Sequence, residues 1–374
     1  MSEFKKKLAI IVGTRPEIIR LSEIIKNSNN YFNLYLIHTG QNYDYELNKI
    51  FFKDLNIKEP DYYLDCASKT SITTISNILK KTETILKKIN PDAFLILGDT
   101  NSALSSIVAK KLQIPIFHYE AGNRCFDQRV PEEINRKLVD HISDINITYS
   151  SFAKSNLINE GIKAENIFKV GSPMKEVINS NSKKISKSNI LKKLGLKKNN
   201  YFVVSLHREE NVDDKKILSK YIELLNNISN KYKKLIIFST HPRTKKNILK
   251  FKLKLSKNIK SIKPLSFTDY LNLQINSIIV LSDSGTISEE SSILNFRAIN
   301  IRENHERHEA FEEASVMFSG PDFAAIDNYM DVLIKEKREH YKIVTEYNID
   351  KVSLKVLRII LSHIAYVNKN IWKK

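Results

Sequence analysis

The chain has 374 residues, 42% hydrophobic and 27% charged, with a formal net charge of +18. That length exceeds one typical core and points to two domains, and no apolar run approaches the roughly 18–20 residues of a membrane span. Two cysteines, Cys66 and Cys125, are too few for a disulfide scaffold or a cysteine zinc site, so a cytoplasmic protein is expected.

Lys5, Lys6 and Lys7 precede "LAIIVG" and give it the outline of a signal peptide. The apolar run is short, however, and ends in "TRPE" with no small-residue cleavage site. It therefore reads as a first strand, 7–12. Further short, continuous, β-branched runs follow at 34–38, 93–97, 115–119, 145–149 and 167–170. Continuous apolar runs of this length are the mark of parallel strands buried on both faces. Amphipathic stretches such as 71–89 and 132–141 separate them. After a polar, lysine-rich segment (179–200) a second series begins at 201–206, 235–240, 278–282 and 297–301, with a weaker run near 259–263 and a helix at 215–231 between. A final helix, 351–368, suits either half.

Strand–helix alternation predicts an α/β, doubly wound fold. The expected architecture is two Rossmann-like domains facing a central cleft, 1–171 and 172–374, with the terminal helix a candidate to pack on the first. In such sheets ligands lie outside the carboxyl ends of the strands. The scarce residues collect there. Six of only nine glycines (Gly13, Gly40, Gly98, Gly122, Gly171 and Gly285) follow strand-like runs, as do nine of 12 arginines. The stretch "EAGNRCFDQRVPEEINR", 120–136, holds three of those arginines and four carboxylates but none of the 48 lysines.

The positive charge has a sharp and a bland explanation. No basic stripe with interleaved aromatics, zinc-finger spacing or RNA-binding sheet signature is present, so nucleic acid is not the expected partner. A lysine-rich surface suffices, although basic clefts do concentrate phosphates. "VLSDSGTISEE" reads as strand, turn and helix. Ser284, Gly285 and Thr286 would then offer N–H groups to a phosphate at a helix N-terminus, and Glu290 could accept ribose hydroxyls. A simply capped helix with an acidic first turn is the plainer alternative. His207 and Arg208 follow one strand, and His241 and Arg243 another; two such pairs point to an anion site, with Arg15 of "IVGTRPE" facing them. One glycine before a helix is no dinucleotide fingerprint. "HERHE", 305–309, spaces its histidines three apart and makes a poor metal site.

Acids gather at strand ends in the first half: Asp99, Glu120, and Glu132 just after Pro131. Each has an ordinary alternative. Asp99 could cap a helix, and Glu132 could serve the helix dipole or pair with Arg136 four residues on. Three acids opposite a diphosphate site instead suggest proton transfer.

In their order over nearly the whole chain, "GTRPEII", "HTGQN", "LGDTNSAL", "EAGNR…PEEINR", "GSP", "HREEN", "DSGTISEE" and "ER…EA" resemble the non-hydrolysing UDP-N-acetylglucosamine 2-epimerases. These are similar in fold to two-domain GT-B glycosyltransferases. The resemblance implies C2 epimerisation of a UDP-sugar with no added cofactor, by loss and return of UDP through a 2-acetamidoglycal. Carried over by position, it makes Asp99, Glu120 and Glu132 the acid/base set and His207 a diphosphate contact that aids departure. It makes Arg15 a phosphate ligand, Ser284 and Gly285 diphosphate contacts, Glu290 the ribose contact and Tyr270 the uracil contact. Arg20, Arg136, Arg208, His241 and Thr286 complete the expected substrate-binding set.

There are departures. The family's usual lysine is Arg20 here, the second glycine of its "SGG" is Thr286, and the third position of "HRRE" is Glu209. Its "QHRQ"-like stretch, tied to activation by a second substrate molecule, reads Gln41-Asn42-Tyr43-Asp44. "EAGNRCFDQRVPEE" and "HREENVD" look most like the branch that acts on 6-deoxy sugars and makes UDP-N-acetyl-L-fucosamine for surface polysaccharides. A homodimer is the expected assembly. A hydrolysing epimerase, a GT-B glycosyltransferase and a non-catalytic nucleotide-sugar or nucleic-acid binder are the other classes to distinguish.

Overall fold

A computed structural model of the chain describes residues 5–41, 45–336 and 342–374. Asn42, Tyr43 and Asp44, the greater part of the stretch compared with the activation motif, lie outside the described residues. The chain forms two compact units, Met1–Ser180 with Asn348–Lys374, and Asn181–Tyr347.

The first unit carries seven strands: β1 (Lys7–Val12), β2 (Asn33–His38), β3 (Tyr62–Tyr63), β4 (Ala93–Leu97), β5 (Ile116–Tyr119), β6 (Ile145–Thr148) and β7 (Ile167–Lys169). Their order is β3-β2-β1-β4-β5-β6-β7, and every pairing is parallel. Leu8–Val12, Ala93–Leu97 and Ile116–Tyr119 are wholly buried, as runs covered by helices on both faces must be. The second unit carries β8 (Tyr201–Leu206), β9 (Leu235–Thr240), β10 (Ile259–Ile262), β11 (Val280–Ser282), β12 (Ala298–Asn300) and β13 (Met317–Phe318). Their order is β10-β9-β8-β11-β12-β13, again all parallel.

Strand order reverses between β1 and β4 in the first unit and between β8 and β11 in the second. At such a switch point adjacent crossovers run to opposite faces and leave a crevice beyond the strand ends. Gly13–Arg15 and Gly98–Asp99 sit at the first crevice, and His207–Arg208 and Asp283–Gly285 at the second.

The domain boundary needs correction. Helix Met174–Ser180 belongs to the first unit: Met174, Val177 and Ile178 are buried, and Ser180 Oγ donates to Glu23 at 2.5 Å. Helix Val352–Val367 also returns to the first unit, where Ser353 donates through N and Oγ to Glu176 at 2.8 and 2.6 Å. The lysine-rich segment is not a plain connector. It folds into helices Ser182–Ser186 and Ile190–Leu194, anchored by buried Ile185 and Ile190 and by a hydrogen bond from Asn272 Nδ2 to Ile185 O.

Candidate active site

In the first unit, β4 is followed by Gly98, whose φ of +68° lets the chain turn sharply into Asp99. Asp99 does not cap the following 3₁₀ turn, Asn101–Ser105; Thr100 does, accepting from Ser102 N. The Asp99 carboxylate is instead free of local backbone duty and meets the fork of Arg136, with Nε at 3.0 Å and Nη2 at 2.5 Å. Asn135 Nδ2 donates to Asp99 O. Arg136 and Asn135 lie on helix Pro131–Ile142, so Glu132, three and four residues earlier, shares the helix face that meets Asp99. On that helix Arg136 pairs with Glu133, at 2.8 Å. Glu133 is fully buried and ties down the preceding loop, accepting from Cys125 N and Phe126 N.

Glu120 follows β5 with φ +71°, a left-handed conformation that costs a non-glycine residue about 1 kcal/mol or more. The surroundings hold it there. Gly122 N donates to both oxygens of buried Asp140, and a Cβ on Gly122 would lie 2.2 Å from Ala153 O. Asp140 also sits 2.8 Å from His118 Nδ1 and 2.7 Å from Arg124 Nη1. Burial alone would raise the Asp140 carboxyl; His118 and Arg124 outweigh it and keep the group ionised below the usual carboxylate range. Arg124, itself fully buried, reaches on to Glu160 with Nε at 2.8 Å and Nη2 at 2.5 Å. The Glu120 carboxylate pairs with Arg20 and accepts from Tyr149 OH at 3.3 Å, and the Arg20 guanidinium lies over the Tyr149 ring, 5.7 Å from its centroid. A Cβ on Gly98 would lie 3.8 Å from Glu120 Oε2, so the two acid-bearing turns adjoin. Thus two carboxylates are each held by an arginine at neighbouring strand ends, and the fork of Arg136 grips Asp99 in a geometry that lysine's single point charge would not hold. Arg15 opens helix Arg15–Ser28 and lies over the Phe51 ring, 5.7 Å from its centroid.

In the second unit the organising group is Asp283, directly after β11. It is fully buried and accepts from His207 N and Arg208 N, both at 2.9 Å, and from Asn211 Nδ2 at 3.1 Å. Burial raises its carboxyl, but the adjacent His207 and these donors hold it far below the usual carboxylate range. His207 Nδ1 lies 2.7 Å from Asp283 Oδ1, which sets Nδ1 as the protonated nitrogen and leaves Nε2 for other work. His241 lies beside it, ring centroids 6.4 Å apart, and caps helix Pro242–Lys250 through Nδ1. Arg243 departs from the expected anion pair: its fork is committed to Asp213, at 2.8 and 2.6 Å, and to Glu209.

The Ser284–Thr286 turn leads into helix Ile287–Leu294. A Cβ on Gly285 would lie 3.6 Å from Arg302 Nη1, 3.8 Å from Arg208 Nη2 and 3.3 Å from Glu306 Oε1, so two guanidinium groups flank this turn. Within it, Ser284 N donates to Ser282 Oγ and Thr286 N to Ser284 Oγ. An incoming phosphate would take over these N–H groups from rotatable hydroxyls. Arg302 is buried and paired with Glu306 at 2.9 Å. Glu290 is buried and accepts from Gln274 Nε2 at 3.0 Å, which aims its carboxylate. Tyr270, on helix Phe267–Ile275, packs against the core cluster around Leu273 and Ile287.

Sequence reasoning missed Asp283, Arg302 and Glu306 here, and Glu17, Glu133, Arg124 and Tyr149 in the first unit. Asp283 and Glu17 stand inside quoted motifs, but His207 and Thr100, the partners that give them their place in the site, are distant in sequence.

These two units match solved structures closely. The chain is similar to a UDP-N-acetylglucosamine 2-epimerase from Rickettsia bellii, at 46% identity and TM-score 0.91, covering 99% of this chain and 100% of that one. It is similar to the Methanocaldococcus jannaschii UDP-GlcNAc 2-epimerase in complex with UDP-GlcNAc and UDP, at 38% identity and TM-score 0.89, covering 95% and 99%. Two parallel-sheet α/β domains of this kind define the GT-B-like class. A curated UDP-N-acetylglucosamine 2-epimerase of Methanococcus maripaludis is 40% identical over 341 residues, 89% of this chain and 93% of that protein. The family model for UDP-N-acetylglucosamine 2-epimerase matches residues 25–361. The chain belongs to the UDP-N-acetylglucosamine 2-epimerase family.

Proposed function

We propose that this chain epimerises a UDP-2-acetamido sugar at C2, without an added cofactor, by eliminating UDP and adding it back. The C2 hydrogen has no adjacent carbonyl to acidify it. As one carboxylate takes that proton, the C1–O bond to UDP breaks and the electron pair forms the C1–C2 double bond of a 2-acetamidoglycal. UDP then re-forms the C1–O bond while C2 receives a proton on its other face. Asp99, Glu120 and Glu132 serve the proton transfers. His207, Arg208 and the Ser284–Thr286 turn stabilise the departing diphosphate, with Arg15 as a further phosphate ligand. Glu290 holds the ribose and Tyr270 contacts uracil. The observation that carries this reading is the pair of arginine-held carboxylates, Asp99–Arg136 and Glu120–Arg20, on the adjoining turns after β4 and β5.

For the substrate, we take UDP-2-acetamido-2,6-dideoxy-L-talose, converted to UDP-N-acetyl-L-fucosamine, on the strength of "NRCFDQRVPEE" and "HREENVD". A pocket built around a 6-deoxy carbon rejects an added hydroxyl only modestly, by about 10²-fold. Interconversion of UDP-N-acetylglucosamine and UDP-N-acetylmannosamine is the second reading, favoured by the names of the relatives and by the UDP-GlcNAc bound in the M. jannaschii structure. Incubation of each UDP-sugar in heavy water, followed by NMR at C2, tests the class: deuterium should enter C2 of both epimers. Turnover that retained the C2 hydrogen would overturn it. Side-by-side kcat/KM values decide the substrate.

A further inference from the structure

Glu17 is a buried carboxyl that the chemistry above does not use. It stands three residues after Thr14, the residue that precedes helix Arg15–Ser28, and its side chain turns back over the switch point. Oε2 accepts from Gly13 N at 3.0 Å and from Thr14 Oγ1 at 2.7 Å. Oε1 accepts from Thr100 Oγ1 at 3.1 Å, 83 residues away. Thr100 is the neighbour of Asp99, and its hydroxyl also accepts from Ser102 N, fixing the turn that presents Asp99. The junction is tight: a Cβ on Gly13 would fall 2.1 Å from both Ser102 Oγ and Thr39 Oγ1.

A glutamate at the third helical position commonly reaches back to the helix start, and in that role it is exposed and cheap. Glu17 is 1% exposed, and burial pushes its carboxyl up to about 7 despite three donors. Such a desolvated position is costly, and only one of its two oxygens serves the helix start. The other is spent on the turn after β4.

Resting on the epimerase reading, we propose that Glu17 is a positioning residue: through Thr100 it locks the Asp99 turn to the Arg15 turn across the switch point, so that the Asp99 carboxylate is held in register for proton transfer. Small displacements of a catalytic group cost rate rather than binding.

The test uses the full chain. Thr100→Val removes the bridge together with the acceptor for Ser102 N but leaves Glu17 its contacts with Gly13 and Thr14, Thr100→Ser keeps both bonds, and Glu17→Gln removes one of the two acceptor oxygens while leaving the bond from Ser102 N to Thr100 Oγ1 in place. Thr100→Val and Glu17→Gln should each lower kcat for C2 exchange by about tenfold or more, with KM and UDP affinity changed by less than about threefold. Thr100→Ser should restore kcat to within about threefold of the wild type, and the double variant should be no worse than its worse single parent. Amide hydrogen exchange across 98–102, read with no substrate present, should quicken in Glu17→Gln, which leaves the bond from Ser102 N to Thr100 Oγ1 in place, as well as in Thr100→Val, and not in Thr100→Ser. Unchanged exchange and unchanged kcat in Glu17→Gln would overturn the inference, as would a loss in Thr100→Val that Thr100→Ser failed to repair. A wild-type protein inactive on every UDP-2-acetamido sugar would refute the epimerase reading instead, and the amide measurement would still decide the lock.

Discussion

His207 Nδ1 and Asp283 Oδ1 lie 2.7 Å apart, joining the end of β8 to the end of β11 across the switch point of the second unit. The same carboxylate accepts the backbone N–H groups of His207 and Arg208. One buried charge therefore sets both the path of the chain and the proton position on the imidazole.

Asp283→Asn should disturb both. An asparagine presents one acceptor and an NH₂ group to a set of donors, which leaves an unsatisfied polar group and costs about 1–3 kcal/mol of stability. The imidazole also loses the charge that fixes its tautomer. We expect kcat to fall by about 10²-fold or more, with UDP binding changed far less. Steady-state kinetics beside calorimetric UDP titration check the split; equal loss of both would mean a merely collapsed site.

Asp99→Asn, Glu120→Gln and Glu132→Gln keep shape and lose proton exchange. Each should lower C2 deuterium incorporation by about 10²- to 10⁴-fold while UDP still binds. Near-normal turnover in all three would show the acids to be misassigned.

Arg124 is fully buried between Asp140 and Glu160. Arg124→Leu should leave the buried Asp140 without its guanidinium partner and destabilise the first unit by about 3–5 kcal/mol. Arg124→Lys should recover only part of this, because one ammonium cannot reproduce the fork. Urea unfolding measures both.

His38, fully buried at the end of β2, is held neutral: burial lowers its pKa from 6.5 to about 4, and its Nδ1 accepts from Gly40 N. The unfolded chain takes up this proton first as pH falls. His38 therefore contributes its full stability above pH 6.5 and loses it progressively from 6.5 down to about 4, a loss approaching about 3 kcal/mol. His38→Gln should flatten the dependence of unfolding free energy on pH across that window. A slope identical to the wild type would count against a neutral buried imidazole.

Much of this architecture is legible in the chain itself. β1, β4, β5, β8 and β9 announce themselves as continuous apolar runs, because a parallel strand buried on both faces has no polar side to show. Helix Ser71–Ile89 carries its stripe within its own residues and is bounded by the flanking caps Thr70 and Asn90. Scarce glycines mark the turns after β1 and β4, where a Cβ on Gly13 would fall 2.1 Å from Ser102 Oγ and Gly98 takes a φ of +68°, so the position of Asp99 at a strand end can be read directly.

Other features depended on tertiary structure. β3 and β13 are two-residue edge strands, too short to carry a period, and exist through their pairing with β2 and β12. The terminal helix carries an apolar face that suits either half; the bonds of Ser353 to Glu176 and Asn27 place it in the first unit. The carboxylates that organise the site were invisible for the same reason. Glu17 works through Thr100 and Asp283 through His207, partners 83 and 76 residues away. Burial of a charge is a property of the surrounding fold, not of the residue, so no local pattern distinguishes Asp283 from a surface acid.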